Sequence, residues 1–125
     1  MERTIITISE NGNVNIPSGN VWMSEMELVE LFGVIAPTLR AAIRAIYMSG
    51  MLNPATTQRC DLATPKSWST FYNPEMVFAL AFRLNTYEAS WIRQKVLEGL
   101  CKQKENNIGI LIFLTLLSSQ DVVLS

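Results

Sequence analysis

At 125 residues the chain has the size of one domain and enough length to bury one hydrophobic core. An apolar fraction of 49% with 17% charge belongs to a folded globular protein and argues against extensive disorder. The formal net charge of −1 gives no whole-molecule attraction to nucleic acid, so any such affinity would have to be local.

The stretch from Thr4 to Ser9 is rich in β-branched residues, and Asn11-Gly12 follows it as a strong hairpin turn. The return strand is expected from Asn13 to Ile16, closed by Pro17-Ser18-Gly19-Asn20, with Val21-Trp22-Met23 as one more short extended piece. Ser24 then opens a helix. It stands as the N-cap with Glu27 three residues on, the capping-box arrangement, while Met23 and Leu28 are placed as a hydrophobic staple. Leu28, Val29, Leu31 and Phe32 form the apolar face, and Gly33 is the expected left-handed stop.

A second helix is expected from Pro37, a residue suited to the first helical position. Leu39, Ala42, Ile43, Ile46 and Tyr47 share one face, Thr38, Arg40, Ala41 and Arg44 point away, and Ser49-Gly50 ends it. Ser24 to Gly50 is therefore read as a helix-turn-helix unit. Two short strands, Arg59 to Ala63 and Trp68 to Tyr72, joined by Thr64-Pro65-Lys66-Ser67, make a hairpin at the position of a wing. Asn73 caps the next helix with Pro74 in its first turn, and the nearly all-round apolar run from Met76 to Leu84 makes that helix central. Thr86 caps a last helix to about Lys102, with Ala89, Ile92, Val96 and Leu100 as its apolar members. The segment from Ile108 to Leu117 is apolar on both faces and is expected as a buried strand or one shared with a second subunit.

The fold class expected is α+β: an N-terminal β-hairpin, a helix-turn-helix with a β-hairpin wing, two further helices and a C-terminal strand. Residues 1–104 make the domain, and 105–125 an apolar tail packing on it or on a second subunit.

Charge is unevenly spread along these elements. Residues 1–30 set Arg3 against Glu2, Glu10, Glu25, Glu27 and Glu30 and are acidic. Residues 31–104, with Arg40, Arg44, Arg59, Lys66, Arg83, Arg93, Lys95, Lys102 and Lys104 against Asp61, Glu75, Glu88 and Glu98, are basic. Such a middle could meet phosphates, although scattered surface charge is an equally good account.

Catalysis is not expected, nor is a metal or other cofactor. There is no histidine for a Ser-His or Cys-His pair, and Cys60 and Cys101 lack metal-ligand spacing. No phosphate-cradling glycine motif is present, and Glu25, Glu27 and Glu30 read as solvated charge. The polar N-terminus carries no signal pattern, so the cytoplasm is the expected location. Residues 108–117 fall short of the roughly 20 needed to cross a membrane, and no membrane partner is expected.

The candidate partner is double-stranded DNA. In helix-turn-helix proteins the second helix lies in the major groove. Here Thr38, Arg40, Ala41 and Arg44 would face it, with Lys66, Arg93 and Lys95 extending a basic surface. Ile35, Ala36 and Ala41 add only small or apolar groups, and carboxylates at the start of the first helix would repel phosphate. A protein-interaction module that keeps the fold and has lost DNA binding is the alternative. Trp22, Trp68 and Trp91 are read as core or hairpin-packing residues.

The segments VWMSEMELVELFGV, IRAIYMSGML and FYNPEMVFALAFRLNT resemble the RhuM-like family of bacterial proteins. Members carry a VWLTQ-type opening, an AELFGV-type turn, an IKNIFEEGEL-type second helix and a YNLDLIIAVGYRVNS-type block. The likeness runs from about Ile5 to Leu100 and is most specific at Tyr72, Asn73, Ala79, Arg83 and Asn85. It implies a winged-helix-like domain and a DNA-binding or regulatory role. Where members have polar residues of the SRQN type after the turn, this chain has Ile35-Ala36-Pro37-Thr38. Pairing of the strand from Ile108 to Leu117 across a two-fold axis would make the protein a homodimer. Light scattering at micromolar concentration should then report twice the chain mass, and a clean monomer would rule that pairing out.

Overall fold

The structure, a computed structural model, describes residues 2–102. The expected strand from Ile108 to Leu117, and with it the homodimer contact, lies outside the described residues. The described chain is α+β, as its turn and cap signals require.

The N-terminal hairpin pairs β1 (Thr7–Ile8) antiparallel with β2 (Val14–Asn15). Ser9 N–H donates to Asn13 and Gly12 N–H to Ser9, and Gly12 takes a positive φ of 81° that suits a residue without Cβ. Both strands are shorter than the β-branched run suggests. The first half of that run has another partner: Thr4 N–H donates to the Asn20 carbonyl, and Trp22 N–H donates to that of Thr4. Thr4 and Val21 thus bridge in parallel, and the chain peels away from the hairpin before Thr7.

The short strand β3 (Met23–Ser24) leads directly into α1 (Glu25–Phe32). The Ser24 hydroxyl accepts from Glu27 N–H at 3.3 Å, and the Glu27 carboxylate accepts from Ser24 N–H at 2.9 Å. Two of the helix's unpaired first-turn donors are satisfied by this exchange. The helix ends at Gly33, whose φ of 64° is left-handed and whose N–H donates to Val29. A Cβ there would meet only the far end of the flexible Glu88 side chain, so the left-handed φ is what calls for glycine.

After a short turn, α2 (Ala36–Met48) begins one residue earlier than expected, with Pro37 inside its first turn. A single-turn helix, α3 (Pro54–Thr57), follows; Asn53 caps it through Ala55 N–H, a signal that the chain carries in Asn53-Pro54. Then β4 (Gln58–Thr64) and β5 (Ser67–Tyr72) form the wing hairpin around Pro65-Lys66. β5 also pairs with β3, giving a three-stranded sheet in the order β3-β5-β4. Two helices complete the domain: α4 (Pro74–Ala81), capped by Asn73, and α5 (Tyr87–Lys102), capped by Thr86.

The core lies where α4 meets α1, α2 and α5. Met76, Val77, Ala79, Leu80 and Ala81 of α4 are fully buried against Leu28, Phe32, Leu39, Ile46 and Ile92. Burying a side chain of this kind stabilises by about 1.5–3 kcal/mol, which makes the apolar sides of these helices the main source of stability. Thr57, the buried polar residue in this region, is satisfied: its hydroxyl bonds the Asn53 carbonyl at 2.8 Å and the Tyr47 hydroxyl at 2.9 Å.

Arg3 ties the N-terminal arm to this frame. One guanidinium nitrogen donates to the Trp22 carbonyl at 3.0 Å and to Glu27 at 2.6 Å, while the group stacks 4.7 Å from the Phe71 ring centre. Glu27 is therefore not the solvated charge it resembles in sequence. Partial burial raises its pKa, but the Arg3 hydrogen bond, the Ser24 N–H, the Arg3 charge and the Ser24 hydroxyl outweigh that and leave it lowered. A lowered carboxylate contributes stability that is complete above its unfolded pKa and is lost as pH falls through the folded value. Glu27→Ala should cost about 0.5–2 kcal/mol at neutral pH. Urea unfolding should also show a flatter stability curve for the variant below the ordinary carboxylate range.

The candidate docking surface of the second helix and the wing

α2 is sealed on one side and open on the other. Leu39, Ala42, Ile43 and Ile46 are buried, whereas Pro37, Thr38, Arg40, Ala41, Arg44 and Met48 are exposed along its outward side. The alternation is the 3.6-residue period of the helix expressed as packing. No side chain caps the first turn, because the N-cap is Ile35, itself 68% exposed. The positive end of this helix consequently faces solvent without a carboxylate of its own.

A carboxylate comes instead from α1. Arg40 donates through Nε to Glu25 Oε1 at 2.9 Å and lies 2.7 Å from the same oxygen through Nη2. The capping box that starts α1 at Glu25 places this acid beside α2. Arg40 is thus a neutralised pair in the resting molecule. Arg44 takes part in none of the ion pairs among the described residues.

The wing stands beside α2. Tyr47 of α2 is hydrogen-bonded to Thr57, just ahead of β4. The Tyr72 phenol has its pKa raised first by burial, then by the neighbouring Tyr47 and Glu25. Partners in an antiparallel ladder share a face, so Gln58, Cys60 and Leu62 lie with Tyr72, Thr70 and Trp68. At the base this face meets the helices; towards the tip it is bare. Leu62 is 43% exposed and Trp68 66%, the one directly opposite the other, and Lys66 occupies the turn. The opposite face carries two stacked cations, Arg3 over Phe71 and Arg59 over Trp22 at 5.3 Å, with Arg59 4.0 Å from Asp61.

No protein-family model matches this chain, and neither a curated protein nor a solved structure does.

Of the residues singled out in the sequence, Thr38, Arg40, Ala41 and Arg44 come together on α2, and Lys66 caps the adjacent wing. Arg93 and Lys95 belong elsewhere, on α5, which packs on α4, α1 and β2. Arg93 turns inward, donating to the carbonyls of Ala81 at 2.6 Å and Leu84 at 3.0 Å. Ala81 is the last residue of α4, where a cation is favoured by the helix's negative end, and Leu84 lies in the connection to α5. Lys95 lies in a shallow groove with Gly12, Asn13 and Glu98. The packing role read for the tryptophans holds for Trp22 and for Trp91, which rests on Gly12, but not for exposed Trp68. Among the described residues there is no group of acids or cysteines spaced to hold a metal ion, and no helix is long and apolar enough to cross a membrane.

Arg93→Ala should lower stability by about 1–3 kcal/mol, because it strips a charged donor from the carbonyls of Ala81 and Leu84. Thermal unfolding measures this, and the same variant should keep whatever affinity the α2–wing surface has.

Proposed function

We propose that the chain is a non-catalytic winged-helix regulatory module that docks on duplex DNA through α2 and the wing. The observation carrying this reading is the pairing of an α2 whose outward side is unpacked with a hairpin wing beside it. That is the arrangement by which helix-turn-helix modules enter a major groove and grip the flanking backbone. The resemblance to the RhuM-like family points the same way.

On this reading Arg44 and Lys66 supply the phosphate contacts, and Thr38 with Ala41 faces the base edges. The contacts are few, so binding is weak and modestly salt-dependent. Arg40 contributes only when its bond to Glu25 is given up.

The second reading, a protein-interaction module of the same fold, is favoured by the chemistry of the surface. Leu62 and Trp68 are exposed directly opposite each other on the wing and Arg40 is already paired, so the surface offers an apolar contact as well as a depleted positive charge.

Fluorescence anisotropy against a labelled duplex separates the two. For DNA binding, log K should fall with log salt at a slope of about −2, with Arg44→Ala and Lys66→Ala each removing about one unit. Glu25→Gln should steepen the slope by about one unit, because it releases Arg40. No retention of duplex at about 50 mM salt overturns DNA binding and favours the interaction module.

A further inference from the structure

The wing sheet runs in the order β3-β5-β4, so among the described residues β4 has a strand on one side and none on the other. Three bonds show which residues face that outer edge. The Thr57 carbonyl accepts from Asn73 N–H and so points towards β5, whereas Gln58 N–H points away and closes α3 on the Pro54 carbonyl. Leu62 N–H also turns away from β5, to the Asp61 carboxylate at 2.8 Å. Backbone direction alternates along an antiparallel strand, so Gln58, Cys60 and Leu62 face the outer edge and Arg59 and Asp61 face β5. The edge is accessible as well as unpaired, with Arg59, Cys60 and Leu62 all exposed.

Its charges complement their own copy. In a second β4 laid antiparallel about a two-fold axis, residues facing the edge must meet residues facing the edge. With the axis at Cys60, that residue meets its counterpart, and Arg59 of each chain stands opposite Asp61 of the other. Moving the axis to Arg59 sets two arginines face to face, and moving it to Asp61 sets two aspartates, both unfavourable. The Arg–Asp positions are the non-hydrogen-bonded ones, where opposed side chains come closest. Within one chain Arg59 and Asp61 hold each other only at 4.0 Å, and the Arg59 side chain is 50% exposed.

We propose that β4 joins two copies of this chain, paired antiparallel through Gln58–Leu62 about a two-fold axis at Cys60. The two three-stranded sheets become one continuous sheet. Cys60 N–H donates to the Cys60 carbonyl of the other copy. Leu62 N–H leaves Asp61 for the Gln58 carbonyl of the other copy, and Asp61 takes Arg59 of that copy in exchange. On the opposite face Gln58 of the second copy covers part of exposed Leu62. The paired stretch is short, so the dissociation constant is on the order of 100 µM. The contact uses neither the outward side of α2 nor residues 108–117, so its failure leaves the DNA reading untouched.

The test uses the full chain with Cys101→Ser, which leaves Cys60 as its one thiol, and a short bis-maleimide cross-linker in the absence of DNA. At about 10 µM chain, well below the dissociation constant, the initial rate of Cys60–Cys60 coupling tracks the dimer fraction. Labelling by N-ethylmaleimide corrects that rate for thiol reactivity. Arg59→Asp sets acid against acid and Asp61→Arg sets cation against cation, and each should slow coupling about tenfold. The double variant Arg59→Asp with Asp61→Arg restores unlike pairs and should recover most of the rate. Single variants that couple as fast as the parent would overturn the proposal. So would a double variant that melts like the parent yet couples no faster than the singles.

Discussion

Everything downstream depends on one carboxylate oxygen. Glu27 Oε1 accepts from the backbone N–H of Ser24 and from the guanidinium of Arg3. The first bond fixes where α1 begins, and the second draws the N-terminal arm across β3. The same guanidinium reaches the Trp22 carbonyl and covers the Phe71 ring of β5. An arm, a strand, a helix start and the central strand of the wing sheet thus meet at a single ion pair. It is partly buried, with side chains 27% and 26% exposed, so solvent screens it less than an ordinary surface pair.

The helix start has a second consequence. With Ser24 as N-cap, Glu25 occupies the first helical position and lies within reach of Arg40. An acid in the first turn suits α1, whose positive end it offsets. The same acid also neutralises one of the cations on the outward side of α2. The stability of the first helix and the electrostatics of the second are therefore coupled through one residue. This coupling, more than the identity of the outward side chains, sets how little charge α2 presents.

Features legible in the sequence were those that a few neighbouring residues determine. Ser24, Glu27 and Gly33 announced α1, Asn73-Pro74 and Thr86 announced the last two helices, and Pro65-Lys66 announced the wing turn. α3 escaped notice because one helical turn is too short to show a period, although Asn53-Pro54 marked its start. Long-range pairings left no local trace. Arg3 with Glu27 and Arg40 with Glu25 are distant in sequence, so the acids looked solvated. Arg93 looked like a surface cation, and only the position of α4 reveals the carbonyls it serves. Trp68 read as a packing residue, and no local signal tells that nothing covers its face of the wing towards the tip.

The near-zero net charge conceals how the charges divide once pairing is known. Glu25, Glu27 and Asp61 each meet an arginine; the first two pairs join separate elements, while Arg59 and Asp61 both lie in β4. Among the described residues, Arg44 and Lys66 stay outside those pairs on α2 and the wing, while Glu10, Glu30 and Glu88 stay outside them around a groove beside β1. At physiological salt, fields between exposed groups decay over about 8 Å, so each surface acts through its own surplus and not through the molecular total. A chain that looks indifferent to charged partners by composition therefore presents a weakly cationic surface on one side of its helix-turn-helix and an acidic groove on another. The ion pairs that build the fold also decide which charges are left over, and where.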